Sequence, residues 1–261
     1  MKKLLLIGLF LLTACLSPSG GRGATPEPTF TPQAASTRVI PTTIPVLSPQ
    51  GGTVTPTLVP SPVGTATQPP PERYFIEEFD VAPIYWSTLY ASGNSGRVDI
   101  LNKDGFLTFE IYDPVTWLYA IYGAFEYESV YVETQVESRG SIVNSMGLVC
   151  HYDEQDGWYE FNLSNDGTYN LLYGHWLADG IASYTPILND TSDRVATGNS
   201  INELGLDCYE DIVQLYINGK LIRKLDVEHI GLIGGKVGLS LASFEEVPVI
   251  LAFDWVKVSE P

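Results

Sequence analysis

The chain has 261 residues and a formal net charge of −17, with 31 acidic side chains against 14 basic ones. This balance argues against a nucleic-acid partner, because phosphate recognition requires clustered lysine and arginine. It also argues against direct docking on an anionic membrane surface. Residues 73–261 hold 29 of the acidic and 10 of the basic side chains, a net charge of −19, which favours solubility outside the cell.

Residues 1–15 have the features of a secretory signal. Two lysines follow Met1, and residues 4–12 form an apolar run that is shorter than the roughly 20 residues needed to span a bilayer. The run ends in "LTAC", which resembles the bacterial lipobox, a motif whose cysteine is lipidated. We therefore expect a lipid anchor at Cys15 and an extracytoplasmic, membrane-anchored protein. The alternative is an ordinary signal peptide with a cysteine near its cleavage site.

Residues 16–72 have the composition of a tether. They hold 13 of the 18 prolines and 11 threonines, and Phe30 is their only aromatic residue. So little apolar surface cannot offset the entropy of ordering the chain. Because proline restricts φ and favours extended neighbours, we predict a disordered, stiff Pro/Thr-rich linker that reaches at most roughly 180 Å.

Residues 73–261 alternate between apolar and polar side chains with a period of two, which predicts β-strands. Five segments place three apolar residues each on one face. These are Leu107, Phe109 and Ile111; Tyr159, Phe161 and Leu163; Tyr169, Leu171 and Tyr173; Val213, Leu215 and Ile217; and Val237, Leu239 and Leu241. The motifs "NKDG", "SNDG" and "INGK" between strands are typical of tight turns. We predict an all-β domain of two packed antiparallel sheets.

The segments "GLVCHYDEQDGWYEFNLSNDGTYNLLYG", "LGLDCYEDIVQLYINGKLI" and "GGKVGLSLAS…ILAFDWVKV" resemble the concanavalin A-like lectin/glucanase superfamily. The similarity is greatest to its laminin-G-like domains and to the keto-disaccharide-hydrolase-like domains of bacterial surface proteins. It covers nearly all of residues 73–261 and implies a jelly-roll β-sandwich. Its motifs are mostly structural, so they imply a fold more than an activity.

Two cysteines remain once Cys15 is assigned to the lipid anchor. Cys150 shares a strand face with Leu148, and Cys208 shares one with Leu206, so both side chains should point inward. In an oxidising compartment such a pair can form a bridge, and we predict a Cys150–Cys208 disulfide. The alternative is two buried thiols.

The loop "DEQDG", residues 153–157, combines three acidic side chains with a glycine. Aspartate and glycine suit a tight hairpin turn. A Ca²⁺ site is the alternative, but the loop lacks the spacing and the bidentate glutamate of a known calcium loop. We therefore expect a turn, and no metal or other cofactor.

Catalytic motifs are scarce in this chain. Glycosidases of the resembled superfamily carry an E-x-D-x-E arrangement on one strand face, which brings two carboxyl groups within the roughly 5–5.5 Å of a retaining mechanism. No E-x-D-x-E, H-E-x-x-H or G-x-S-x-G occurs in the sequence. We therefore expect no catalytic residues, with a glycoside or keto-disaccharide hydrolase as the alternative.

Carbohydrate binding is the function that the aromatic residues favour, because sugar C–H groups lie on ring faces while carboxylates and amides take the hydroxyls. Trp158, Glu160 and Asn162 share the face opposite the aliphatic row, and His151 and Trp176 lie on neighbouring segments. We predict that these five residues contact a polysaccharide or glycan. A surface that binds protein partners is a further alternative.

Overall fold

The computed structural model describes residues 70–178 and 180–261. The predicted signal peptide, Cys15 and residues 16–69 of the predicted linker lie outside this part of the chain. The described residues form fifteen β-strands and one 3₁₀ turn, Ser95–Arg97. The strands are β1 (Phe75–Glu77), β2 (Trp86–Ser92), β3 (Val98–Lys103), β4 (Phe106–Ile111), β5 (Trp117–Tyr127), β6 (Ser129–Ser138), β7 (Asn144–Asp153), β8 (Gly157–Leu163), β9 (Thr168–Ala178), β10 (Ile181–Thr191), β11 (Ile201–Tyr209), β12 (Ile212–Ile217), β13 (Lys220–Asp226), β14 (Gly235–Ser243) and β15 (Val249–Ser259).

The strands form two antiparallel sheets. The first sheet has the order β13–β12–β11–β6–β15–β4–β3, and β1 also pairs with β15. The second sheet has the order β10–β9–β8–β7–β14–β5–β2. The predicted all-β, two-sheet sandwich is therefore confirmed. Within residues 70–178 and 180–261, no helix is long and apolar enough to cross a membrane.

The space between the sheets is filled by the residues that the period-two pattern assigned to one face. Fourteen of these fifteen side chains are buried in this core, and Tyr173 packs against it from the edge. Large rings such as Phe109 and Phe253 meet edge to face, with centroids 5.9 Å apart. Burying apolar side chains of this size stabilises the fold by about 1.5–3 kcal/mol each.

Two of the predicted turns are two-residue hairpin connections. Asp104 and Gly105 join β3 to β4 with φ values of 57° and 77°, and Asn218 and Gly219 join β12 to β13 with φ values of 50° and 70°. Positive φ at both central residues matches the right-handed twist of the paired strands, which explains the choice of aspartate or asparagine followed by glycine.

The disulfide prediction is also confirmed. Cys150 on β7 is bonded to Cys208 on β11, with a Cα–Cα distance of 6.6 Å. Because β7 belongs to the second sheet and β11 to the first, the bond joins the two layers of the sandwich through the core.

The second sheet curls so that its two edge strands, β10 and β2, contact each other. The face turned away from the first sheet lies inside this curve. Trp117 on β5 and Tyr184 on β10 show this curvature. Their rings stack 4.7 Å apart, although four strands lie between β5 and β10 in the sheet. We call this inner side of the curled sheet the concave face.

Candidate functional site

The concave face carries its own buried cluster. Tyr119, Ile121, Val149, Tyr152 and Trp158 pack together there, separate from the core between the sheets. The tryptophan ring is fully buried and meets the Tyr119 ring edge to face at 5.4 Å. A sheet face that would otherwise be exposed to solvent is therefore a second core, because the curl brings distant strands over it.

Glu160 lies at the centre of this face on β8 and is fully buried. Its two carboxylate oxygens accept hydrogen bonds from five side chains on three strands. The donors are Trp117 Nε1 at 3.0 Å and Asn162 Nδ2 at 2.9 Å to Oε1, Ser240 Oγ also to Oε1, and Tyr119 Oη at 2.8 Å and Trp158 Nε1 at 3.1 Å to Oε2.

All five donors to Glu160 are neutral, and none of the ion pairs among the described residues includes this carboxylate. An ionised carboxylate only accepts hydrogen bonds, so it matches a ring of donors. Burial raises the pKa of Tyr119 well above its ordinary value of 10, and the charge of Glu160 raises it further. The hydroxyl therefore keeps its proton and remains a donor.

The buried acids do not form a catalytic pair. A retaining glycosidase mechanism requires two carboxyl groups about 5–5.5 Å apart. On β8, Trp158 and Asn162 occupy the alternate positions on either side of Glu160, where E-x-D-x-E would place further acids. Two acidic residues are buried among residues 70–178 and 180–261, namely Glu160 and Asp207. Asp207 lies on β11 in the first sheet, whereas Glu160 lies on β8 in the second.

Trp117 and Tyr184 cover the carboxylate of Glu160. Their half-buried rings stack at an interplanar angle of 18°. Tyr184 also shares a hydrogen bond of 2.7 Å with the hydroxyl of Tyr119, which in turn donates to Glu160. Burial raises the pKa of Tyr184, so this hydroxyl also stays protonated. We call Trp117 and Tyr184 the stacked pair.

A cleft of about 370 Å³ opens at the end of β8 that begins with Gly157. We call it the aromatic cleft, and its lining residues are Leu89, Tyr90, Tyr152, Glu154, Trp176, Ala178 and Gly180. The half-exposed Trp176 rests on the buried Trp158, with ring centroids 5.1 Å apart. It also donates a hydrogen bond of 3.0 Å to Tyr152, which fixes its ring.

A second cleft, of about 280 Å³, lies at the opposite end of β8. We call it the amide cleft after Asn144, Asn162 and Asn170, which line it together with Ser145 and Phe244. Asn162 donates to Glu160 and, at 3.3 Å, to the side-chain oxygen of Asn170. The amide cleft is therefore linked to the central carboxylate through one side chain.

Only one of the five predicted contact residues presents an aromatic ring to a cleft. Trp176 lines the aromatic cleft, whereas Trp158, Glu160, Asn162 and His151 are at most 1% exposed. The first three of these do share one face, as the pattern predicted. They lie beneath the stacked pair and the clefts, where they support the surface from below.

Alternation from the inward-pointing Cys150 predicts that His151 points to the opposite face of β7, but the structure places it differently. It has a φ of 53° and falls in a bulge, where the pairing of β7 with β8 shifts between Cys150 and Asp153. Its ring lies 6.0 Å from that of Tyr159, a residue of the core between the sheets. The extra residue reverses the alternation, so Tyr152 points to the concave face instead. Sequence alternation missed Tyr152 for this reason.

The "DEQDG" segment forms a turn. The Asp153 carboxylate accepts hydrogen bonds from the backbone amides of Gln155 at 2.7 Å and Asp156 at 3.0 Å. These two bonds lower the pKa of Asp153. Over residues 70–178 and 180–261, no group of three or more His, Cys, Asp or Glu side chains is arranged to hold a metal ion.

The buried His151 should make stability depend on pH. Burial lowers its pKa from 6.5 to about 4. Between these values the unfolded chain binds the proton and the folded chain does not, so stability falls as the pH falls. We expect protonation linked to His151 to lower the free energy of unfolding by about 2 kcal/mol when the pH falls from 7 to 5.

The matched variant is His151→Asn, because asparagine does not titrate and tolerates positive φ. Urea denaturation of both proteins at pH 7 and pH 5 measures the difference. An equal loss of stability in the two proteins over this interval would contradict the assignment.

No protein-family model matches the chain, and no curated protein matches it. Solved structures do. A β-glucanase from Bacillus licheniformis has a TM-score of 0.50 at 14% identity, over 72% of this chain and 98% of that one. A glycoside hydrolase family 16 endo-glucanase from Bacteroides ovatus has a TM-score of 0.51 at 10% identity, over 71% and 99%. The laminarinase catalytic domain from Thermotoga maritima has a TM-score of 0.50 at 13% identity, over 73% and 99%.

At these identities the comparison bears on the fold. The domain shares a two-sheet jelly-roll fold with these glucanases, as the sequence resemblance implied.

Proposed function

We propose that the domain binds carbohydrate in the aromatic cleft and does so without hydrolysing it. The observation that carries this proposal is the half-exposed Trp176, held by Trp158 below and by Tyr152 beside it, with the exposed Glu154 at the rim. A fixed ring beside a carboxylate suits the C–H face and the hydroxyl groups of a sugar. The fold supports the carbohydrate-binding part of the proposal, because two of its structural neighbours are glycoside hydrolases solved with oligosaccharides.

The test is the substitution Trp176→Ala. Loss of its ring face should weaken binding at least about tenfold, as expected for an aromatic residue at the centre of a binding site. Affinity electrophoresis or calorimetry with mixed-linkage β-glucan, laminarin and mucin measures the effect. The matched control is Trp255→Ala, which removes an equally half-buried tryptophan from β15 in the other sheet. Equal affinities in the two variants would contradict the assignment of the site.

The second candidate is a glycoside hydrolase, and the fold comparison favours it, since the solved neighbours named above are glycoside hydrolases. The residue that would serve it is Glu160 on the concave face. In its favour stands the position of Glu160 on one strand face of a fold shared with glucanases. Against it stand its complete burial and the absence, among the described residues, of a second buried acid on the same sheet. Release of reducing sugar from the same three substrates, lost in a Glu160→Gln variant that is still folded, would establish the hydrolase and overturn the non-catalytic proposal.

We also propose that Cys15 carries a lipid and that residues 16–72 hold the domain away from an extracytoplasmic membrane surface. The motif "LTAC" and the composition of the linker support this arrangement. In a Triton X-114 separation, the full chain should partition into the detergent phase and the Cys15→Ser variant into the aqueous phase. If both partition into the aqueous phase, the anchor is ruled out.

A further inference from the structure

We infer that the aromatic cleft accepts the end of a glycan chain and not an internal segment of it. This inference rests on the proposed carbohydrate binding and specifies which part of a polysaccharide the site recognises. It follows from the way in which the concave face is interrupted between its two clefts.

The two clefts lie at opposite ends of β8. The aromatic cleft is bounded by Tyr152 and Glu154, next to the start of this strand, and the amide cleft by Leu163 and Ser164 at its end. They have no lining residue in common. A polysaccharide that ran through the concave face along β8 would have to pass from one to the other.

The path between them is closed by packed side chains. Trp158, Glu160 and Tyr119 are fully buried there, under the stacked pair. Tyr184 is bonded to the Tyr119 hydroxyl, and Trp117 donates to Glu160, so both members of the stacked pair are tied to the floor. A passing sugar chain would have to break both of these hydrogen bonds and leave buried polar groups without their partners, which is costly.

The aromatic cleft is also closed from the side. Its lining includes Leu89 and Tyr90 from β2 and Gly180 from the connection between β9 and β10, because the edge strands of the curled sheet contact each other. A Cβ atom added at Gly180 would lie 3.9 Å from the carbonyl oxygen of Tyr90. The volume of about 370 Å³ lies near the lower limit of small-molecule pockets. This suits roughly one or two sugar rings.

The experiment compares intact mixed-linkage β-glucan with the same material digested to chains about ten times shorter, and repeats the pair with laminarin. The full chain, purified in detergent, is titrated at equal mass of glycan. If the cleft binds chain ends, digestion raises the number of chain ends per unit mass of glycan about tenfold. The dissociation constant in mass units should therefore fall about tenfold. Equal or weaker binding of the digest would overturn the inference and leave the proposed function standing. Absence of binding to both glucans would overturn the two together.

A variant of the stacked pair tests the physical cause. Tyr184→Ala removes one member of the pair and leaves Trp176 in place. With the passage open, the intact glucan should gain affinity relative to the digest, and the tenfold difference should shrink. Trp176→Ala serves as the comparison, because it should weaken binding of both materials by the same factor. A tenfold difference that persists in a folded Tyr184→Ala variant would show that the stacked pair is not what blocks the chain.

Discussion

Replacing Glu160 with glutamine should lower the free energy of unfolding by about 2 kcal/mol, because it leaves a buried hydrogen-bond donor without an acceptor. The amide would present a donor to a site where five donors already converge. At least one of them would lose its acceptor, and each buried donor left without a partner costs about 1–3 kcal/mol. Denaturant unfolding of the variant and the unaltered protein measures the difference.

The control for this substitution is Glu245→Gln, which makes the same change at an exposed position in the connection between β14 and β15. Surface changes of this kind stay within about 0.5 kcal/mol. A loss below about 1 kcal/mol at Glu160, close to that of the control, would show that the network does not hold the concave face together. Stability and sugar release measured on one preparation therefore separate a structural role of this carboxylate from a catalytic one.

Removing the disulfide with Cys150→Ala and Cys208→Ala together should cost about 4 kcal/mol of stability. The bond closes a loop of 58 residues, and on the chain-entropy model this constraint acts mainly by restricting the unfolded chain. The bond also joins β7 to β11 across the core, so no other covalent link among the described residues replaces it.

Unfolding with and without a reductant measures the effect on the unaltered protein, and the double variant serves as the control, since reductant should leave it unchanged. A thiol count on the unreduced, denatured protein should find neither cysteine free. Identical unfolding midpoints of the unaltered protein in both conditions would contradict the prediction.

Fold and site favour different functions at first sight. The jelly roll is shared with glucanases, whereas the concave face of this chain holds one fully buried carboxylate under the stacked pair. A fold can support many functions, and the chemistry depends on the residues at the site. The non-catalytic proposal therefore rests on the residues of the concave face, whereas the hydrolase candidate rests on the shared fold.

Much of the fold was determined by the sequence itself. Side chains alternate across a strand whatever surrounds it, so the apolar rows of β4, β8, β12 and β14 identified the face between the sheets. The Asp-Gly and Asn-Gly pairs identified two hairpins, since local φ preferences decide such turns. The alternation of side chains along two strands likewise predicted that Cys150 and Cys208 point inward.

The tertiary structure alone decided what happens on the opposite face. Alternation grouped Trp158, Glu160 and Asn162 and predicted an exposed binding row, but the curl of the second sheet covers that row with Trp117 and Tyr184 from strands distant in the chain. A bulge at His151 turns this side chain away from the concave face and directs Tyr152 to that face in its place. Local periodicity cannot show either effect, because sheet curvature and bulges depend on contacts between strands that lie far apart in the sequence.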